Sequence, residues 1–210
     1  MNAGRELYSM AGVPKRHKDF RPDHHNKDEQ WRWNYDKLKN LLTNRGIAGV
    51  FGKRGAGKTQ ACASVIGFCC LNLGKSAKYV KAFDLFLSIR NGNNPSSNTT
   101  EKQEVEKYCK PFLLVIDAFE VRGDTAFENR TMDHIIDRRY DEQRPTILIS
   151  NEDKSSFSAS LGISTLDRLK EGGGLIEFTK TSFRGSEESF YVLQQKQRIE
   201  KEDLERGIEF

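Results

Sequence analysis

Long hydrophobic runs are missing from this sequence. No apolar stretch approaches the roughly 18 to 20 residues that a membrane-spanning helix needs, so no membrane segment is expected. The first residues, MNAGRELYSMAGVPKRHK, lack the apolar centre of a secretory signal, and a cytoplasmic setting follows as the expectation. Cysteine is sparse. Cys62, Cys69, Cys70 and Cys109 show no CxxC spacing, which speaks against a zinc site or a redox pair and for small buried thiols in a reducing compartment. His24 and His25 are neighbours in sequence, a poor arrangement for two ligands on one metal. No internal repeat is visible. Neither sign of charge dominates: 34 basic against 30 acidic residues leave +4, which permits an anionic partner without announcing one. Disorder is excluded, because 13 Phe and a 36% hydrophobic fraction accompany the 30% of charged residues. The 210 residues suffice for one ordinary domain and exceed what a disulfide-stapled mini-protein uses.

What is present is a periodic alternation. Residues 1–30 are polar and mixed in charge and read as an arm. Trp31–Leu42 reads as a short helix with Trp33, Leu38, Leu41 and Leu42 as its apolar positions. Apolar strands are expected at 47–51, 77–82, 112–116, 146–150 and 175–178. Helices are expected at 58–73 (closed by Gly74), 83–90, 101–108 and 125–142, the last with Met132, Ile135, Ile136 and Tyr140 on one face. Residues 91–100, NGNNPSSNTT, are a loop by composition. More helix follows to Glu171, then a glycine hinge at 172–174. Short strands separated by helices leave no room for hairpins, so the expected fold is α/β, with a five-stranded parallel sheet covered by helices on both faces. Ligands in such sheets bind beyond the carboxyl ends of the strands.

Gly52-Lys53-Arg54-Gly55-Ala56-Gly57-Lys58-Thr59 matches GxxxxGK[ST] in full, after an apolar strand and at the start of a helix. Glycines let the backbone wrap a phosphate with its N–H groups turned inward, and the following helix points its positive end at the same anion. Gly52, Gly55, Ala56, Gly57, Lys58, Thr59 and Gln60 are therefore the candidate phosphate site. Lys58 is expected on the outer phosphates of ATP and the Thr59 hydroxyl on Mg²⁺. A second magnesium ligand is expected at the end of a nearby strand, and PFLLVID supplies Asp117. A hydrolytic ATPase usually adds a base beside that acid. Here the next residue is Ala118, and the nearest carboxylate is Glu120.

The segments GKRGAGKT, FLLVIDAFE, DRRYDEQRPTILISN, LDRLKEGGG and FTKTSFR, in this order, resemble the DnaC/IstB-type AAA+ ATPases, the helicase loaders and transposition helpers. The likeness runs from about Ala11 to Arg184 and is nearest in style to compact phage-encoded DnaC-like replication proteins. It implies a P-loop AAA+ core over 46–184, an N-terminal arm and short helix over 1–45, an acidic helical tail over 185–210, and a short or absent lid. It also implies a bacterial or phage-infected host cell. Lys58, Asp117, Glu120 and Asn151 become the candidate catalytic set, with Asn151 matching sensor I. Arg168 matches the arginine finger by the resemblance, whereas its spacing alone reads as a solvated or Asp-paired helix arginine. Arg184 matches the arginine that closes the core, a candidate sensor II.

The resemblance further implies single-stranded DNA, a hexameric replicative helicase, and self-association into a spiral or ring with ATP. Candidate DNA contacts are Lys53, Arg54, Arg122, Arg138 and Arg139, the last two reading equally as the solvated face of an amphipathic helix. The tail carries four basic and seven acidic residues, so the remainder holds 30 basic against 23 acidic. Two departures from the family stand out. Ala118 occupies the usual glutamate position, which implies slow hydrolysis. Only about 45 residues precede the first core strand, with no separate docking domain. Three functions stay open: a helicase loader, an IstB-like transposition helper, and a weakly hydrolysing ATP-gated adaptor.

Overall fold

The computed structural model describes residues 3–18, 28–92, 94 and 97–180. His24, His25, Arg184, the acidic tail and any lid after residue 180 lie outside them. Helix α1 (Ala3–Met10) is followed by a 3-10 turn (Lys15–His17) and α2 (Glu29–Asn44). The core then runs β1 (Ile47–Phe51), α3 (Lys58–Leu71), β2 (Ala77–Lys81), α4 (Ala82–Asn91), α5 (Glu101–Cys109), β3 (Leu113–Asp117), a 3-10 turn (Phe119–Val121), α6 (Ala126–Asp141), β4 (Thr146–Ile149), α7 (Lys154–Ser160), α8 (Ile163–Glu171) and β5 (Gly174–Glu177).

The five strands form one sheet in the order β2-β3-β4-β1-β5, and each pairing is parallel. Successive strand residues point to opposite faces, and two cores result. Val50, Tyr79, Val115, Ile147 and Ile176 pack with Leu38 and Leu41 of α2 and Ala61, Val65 and Ile66 of α3. Ile47, Leu114, Ile116 and Leu148 pack with Phe86 of α4, Val105 of α5, Ile135 and Ile136 of α6, and Phe157 of α7. Strands buried on both faces explain the uninterrupted apolar runs. Helix ends are marked by local hydrogen bonding: the Asp28 carboxylate accepts from Trp31 N at 2.8 Å, and Thr100 and Gln103 form a capping box at α5.

Several expectations need correction. Trp33 is exposed, and Trp31 is buried instead, because Trp31, Tyr35, Leu38 and Leu42 share the face turned to the core. Trp33 keeps its ring wet under the Lys37 ammonium, 3.4 Å from the ring centroid. Tyr140 is also partly exposed; its hydroxyl donates to Glu171. Helix α3 stops at Leu71, and β5 begins at Gly174, so the last hinge glycine pairs with Ala48. The first residues are no free arm over 3–18. Helix α1 packs on α3, Ala11 and Val13 are buried, and Tyr79 N donates to Ala11 O at 2.7 Å along the outer edge of β2.

Candidate nucleotide-binding site

The chain leaves β1 through a loop that only glycine builds at low cost. Gly52, Gly55 and Gly57 have φ of 129°, 88° and 89°. At Gly52 a Cβ would also stand 2.3 Å from Phe178 O, so the loop lies directly against the end of β5. Gly57 caps α3 with no side chain, which leaves the first N–H groups of that helix for an anion. Lys58 is buried, and its Nζ donates to Gly52 O at 2.6 Å and Lys53 O at 2.9 Å. Burial lowers the Lys58 pKa, while the Asp117 and Glu120 carboxylates push it back up. Ala56 and Gln60 are buried beneath the loop, and Lys53 and Arg54 are exposed on it.

Asp117 closes β3 beside this loop. Its Oδ2 accepts from Thr59 Oγ1 at 2.9 Å and from the Tyr79 hydroxyl at 2.6 Å, and its Oδ1 accepts from Ala118 N at 2.7 Å. Burial and the adjoining carboxylate raise the Tyr79 phenol far above its ordinary range, so it stays a donor. Thr59 and Asp117 together offer hard oxygen ligands and no sulfur or nitrogen, a donor set that fits Mg²⁺.

Ala118 then takes the left-handed conformation, φ 54° and ψ 48°. This turn, followed by the 3-10 turn, swings Glu120 toward β4. Glu120 Oε1 accepts from Asn151 Nδ2 at 2.6 Å, and Oε2 accepts from Asn151 N at 3.2 Å. Lys58, Thr59, Asp117, Glu120 and Asn151 thus stand at the carboxyl ends of β1, β3 and β4. A carboxylate held beside an amide, within electrostatic reach of a buried lysine, can accept a proton from a water and orient it.

Other candidates are placed elsewhere. Arg168 pairs with Asp137 and lies 4.9 Å from the Tyr140 ring centroid, both on α6. Two DNA candidates are corrected. Arg139 is fully buried, donating to Thr146 Oγ1 and to the carbonyls of Tyr108, Cys109, Pro111, Phe112 and Pro145. The second, Arg122, has a side chain only 7% exposed. It donates to Ser160 O, pairs with Asp124 at 3.6 Å and lies 4.1 Å from the Phe119 centroid, at the wall of a cavity of about 380 Å³. Neither guanidinium has the solvent exposure that a backbone-tracking contact requires. Arg138 is half-buried between Glu106 and Glu142.

Three site residues carry no sequence signal of their own. His17 Nδ1 donates to Gln60 Oε1 at 2.6 Å, Trp31 Nε1 donates to Gly57 O at 3.1 Å, and Tyr79 holds Asp117. Each joins segments distant in sequence, so only the fold reveals it.

A family model described as IstB-like ATP binding protein matches residues 35–189. A replicative helicase loader DnaC from Buchnera aphidicola subsp. Baizongia pistaciae is 31% identical over 134 residues, covering 63% of this chain and 54% of the relative. The chain therefore spans about half the length of the curated relatives it matches. Two solved structures share the fold. A crystal structure of the DnaC helicase loader has a TM-score of 0.64 at 14% identity, covering 75% of this chain and 94% of that one. DnaA from Aquifex aeolicus bound to AMPPCP has a TM-score of 0.65 at 17% identity, covering 95% and 58%.

Proposed function

Because the chain belongs to the IstB-like ATP-binding protein family, with the P-loop AAA+ fold, we propose that it is an ATP-dependent helicase loader of the DnaC kind. The arrangement of Lys58, Thr59, Asp117, Glu120 and Asn151 at the ends of three adjacent strands carries this reading. The loop and Lys58 hold the phosphates, and Lys58 exchanges its two loop carbonyls for phosphate oxygens. Thr59 and Asp117 would hold Mg²⁺, which when bound would neutralise phosphate charge. Glu120 takes the proton of the water that attacks the terminal phosphorus as the bond to ADP breaks, and Asn151 orients Glu120 and that water. Glu120 acts from two residues beyond the usual base position, which Ala118 holds, so turnover is slow, and nucleotide binding sets the state of the protein more than its rate.

The same reading gives the chain single-stranded DNA, a hexameric helicase and its own copies as partners. Arg168, released from Asp137, serves as the finger at a neighbour's nucleotide, and Arg184 serves as sensor II. DNA contact falls to exposed groups: Lys53, Arg54 and, on α4, Phe83, whose ring can stack on a base.

The test is retention of replicative helicase by the immobilised chain with ATP, with ADP, and in Lys58→Ala. ATP-dependent retention lost in Lys58→Ala is the expected result. Retention of a transposase instead would favour the transposition helper. Retention of helicase with no turnover, with or without single-stranded DNA, would favour a non-hydrolysing adaptor.

A further inference from the structure

We infer that Tyr79 is a positioning residue for the cation site: its hydroxyl holds the Asp117 carboxylate in the orientation that Mg²⁺ meets. The inference rests on the ATP-Mg²⁺ reading above and adds to it a residue outside the phosphate loop.

Strands β2 and β3 are parallel, with Lys81 opposite Asp117. Tyr79 lies two residues earlier on the same face, and its ring spans the diagonal to the carboxylate. Its hydroxyl reaches Asp117 Oδ2 at 2.6 Å, the oxygen that Thr59 reaches at 2.9 Å. The three donors on this carboxylate differ in what they can hold. Ala118 N fixes Oδ1 alone. Thr59 must turn its own oxygen toward the cation. Tyr79 remains to fix Oδ2 when that happens.

Tyr79 is suited to the task because it is itself fixed. It is buried in the core beneath α3, and its backbone N–H is tied to Ala11 O at 2.7 Å. A buried phenol needs some acceptor in any case. As a bystander, its hydroxyl would contribute to stability alone. As a positioning residue, it also sets the Mg²⁺ concentration the site needs, because groups behind a metal ligand govern metal affinity.

The experiment uses the full chain and a fluorescent, non-hydrolysable ATP analogue. Binding is measured in EDTA and then across a Mg²⁺ titration, for wild type and Tyr79→Phe, with thermal midpoints in EDTA to confirm folding. Affinity in EDTA is expected to be unchanged, and the Mg²⁺ concentration for half-maximal enhancement to rise roughly tenfold. In an Asp117→Asn background, Tyr79→Phe is expected to add nothing. Coincident Mg²⁺ curves for wild type and Tyr79→Phe would overturn the inference, as would a full additive effect with Asp117→Asn. A wild-type chain that binds no nucleotide would instead overturn the functional reading itself, a result seen before any variant is compared.

Discussion

Glu120 grips Asn151 twice, its Oε1 accepting from the side-chain amide at 2.6 Å and its Oε2 from the backbone N–H at 3.2 Å. Residues 31 positions apart in sequence are thereby joined at the ends of two adjacent strands. Glu120→Gln keeps the size of the side chain and removes its basicity. Steady-state ATP turnover is expected to fall by about 10²- to 10³-fold, with ATP affinity little changed. Turnover equal to wild type would eliminate Glu120 as the base.

Ala118 holds a left-handed backbone, at a cost of about 1 kcal/mol for a residue with a Cβ. Ala118→Gly relieves it and also loosens the unfolded chain, so a net gain of ~0.5 kcal/mol is expected in urea unfolding. Turnover is expected to persist, because no side-chain role falls to position 118. Ala118→Glu separates the two accounts of hydrolysis. Unchanged turnover is expected if Glu120 already serves; a roughly tenfold rise would show that a base is missing.

Arg139 is a structural cation. Arg139→Met would remove the buried donor that five carbonyls and the Thr146 hydroxyl share, with Pro145 O keeping Leu114 N at 3.1 Å. A loss of about 3 to 5 kcal/mol is expected in chemical denaturation. A change under ~1 kcal/mol would show that water replaces the guanidinium.

Glu104 gives the fold a defined acid response. Burial raises its pKa, but the Lys107 ammonium and the Ser88 and Thr99 hydroxyls outweigh this and hold it at about 2, against 4.5 ordinarily. Its contribution to stability is therefore complete above pH 4.5 and is lost as pH falls from 4.5 through about 2. Urea midpoints measured across that window are expected to fall less steeply in Glu104→Gln than in wild type. Parallel slopes would remove Glu104 from the acid response.

Charge reversal discriminates among the basic residues. Lys53→Glu with Arg54→Glu is expected to weaken single-stranded DNA binding and reduce the salt slope by about 1.4, near 0.7 for each phosphate no longer neutralised. Arg138→Ala is expected to change little, since Glu106 and Glu142 already occupy that guanidinium. The reverse ranking, read from fluorescence anisotropy across a salt series, would move the DNA interface to α6.

The strands and the phosphate loop were legible because their signals are local: apolar runs of strand length, and glycines at fixed offsets from Lys58. Asp117 was legible as the acid closing such a run. The contact between the Glu120 carboxylate and Asn151 was not, because it depends on the backbone conformation at Ala118. Trp33 and Trp31 differ by two positions, and helix phase, set by what α2 packs against, decides which is buried. Arg139 and Arg122 misled for a related reason. An arginine on an amphipathic helix or in a loop is ordinarily solvated, and their partners are carbonyls, a carboxylate and a ring brought from distant segments, with no pattern in sequence.

Arg139 also sets alignment at a distance. It gathers the carbonyls that precede β3 and the residues that enter β4, at the amino ends of the two strands whose carboxyl ends carry Asp117 and lead to Asn151. Its bonds tie the entries of those strands together, alongside the parallel ladder that sets their register. A fault in that anchor is expected to displace Asp117 relative to Asn151 without any residue of the candidate site having changed.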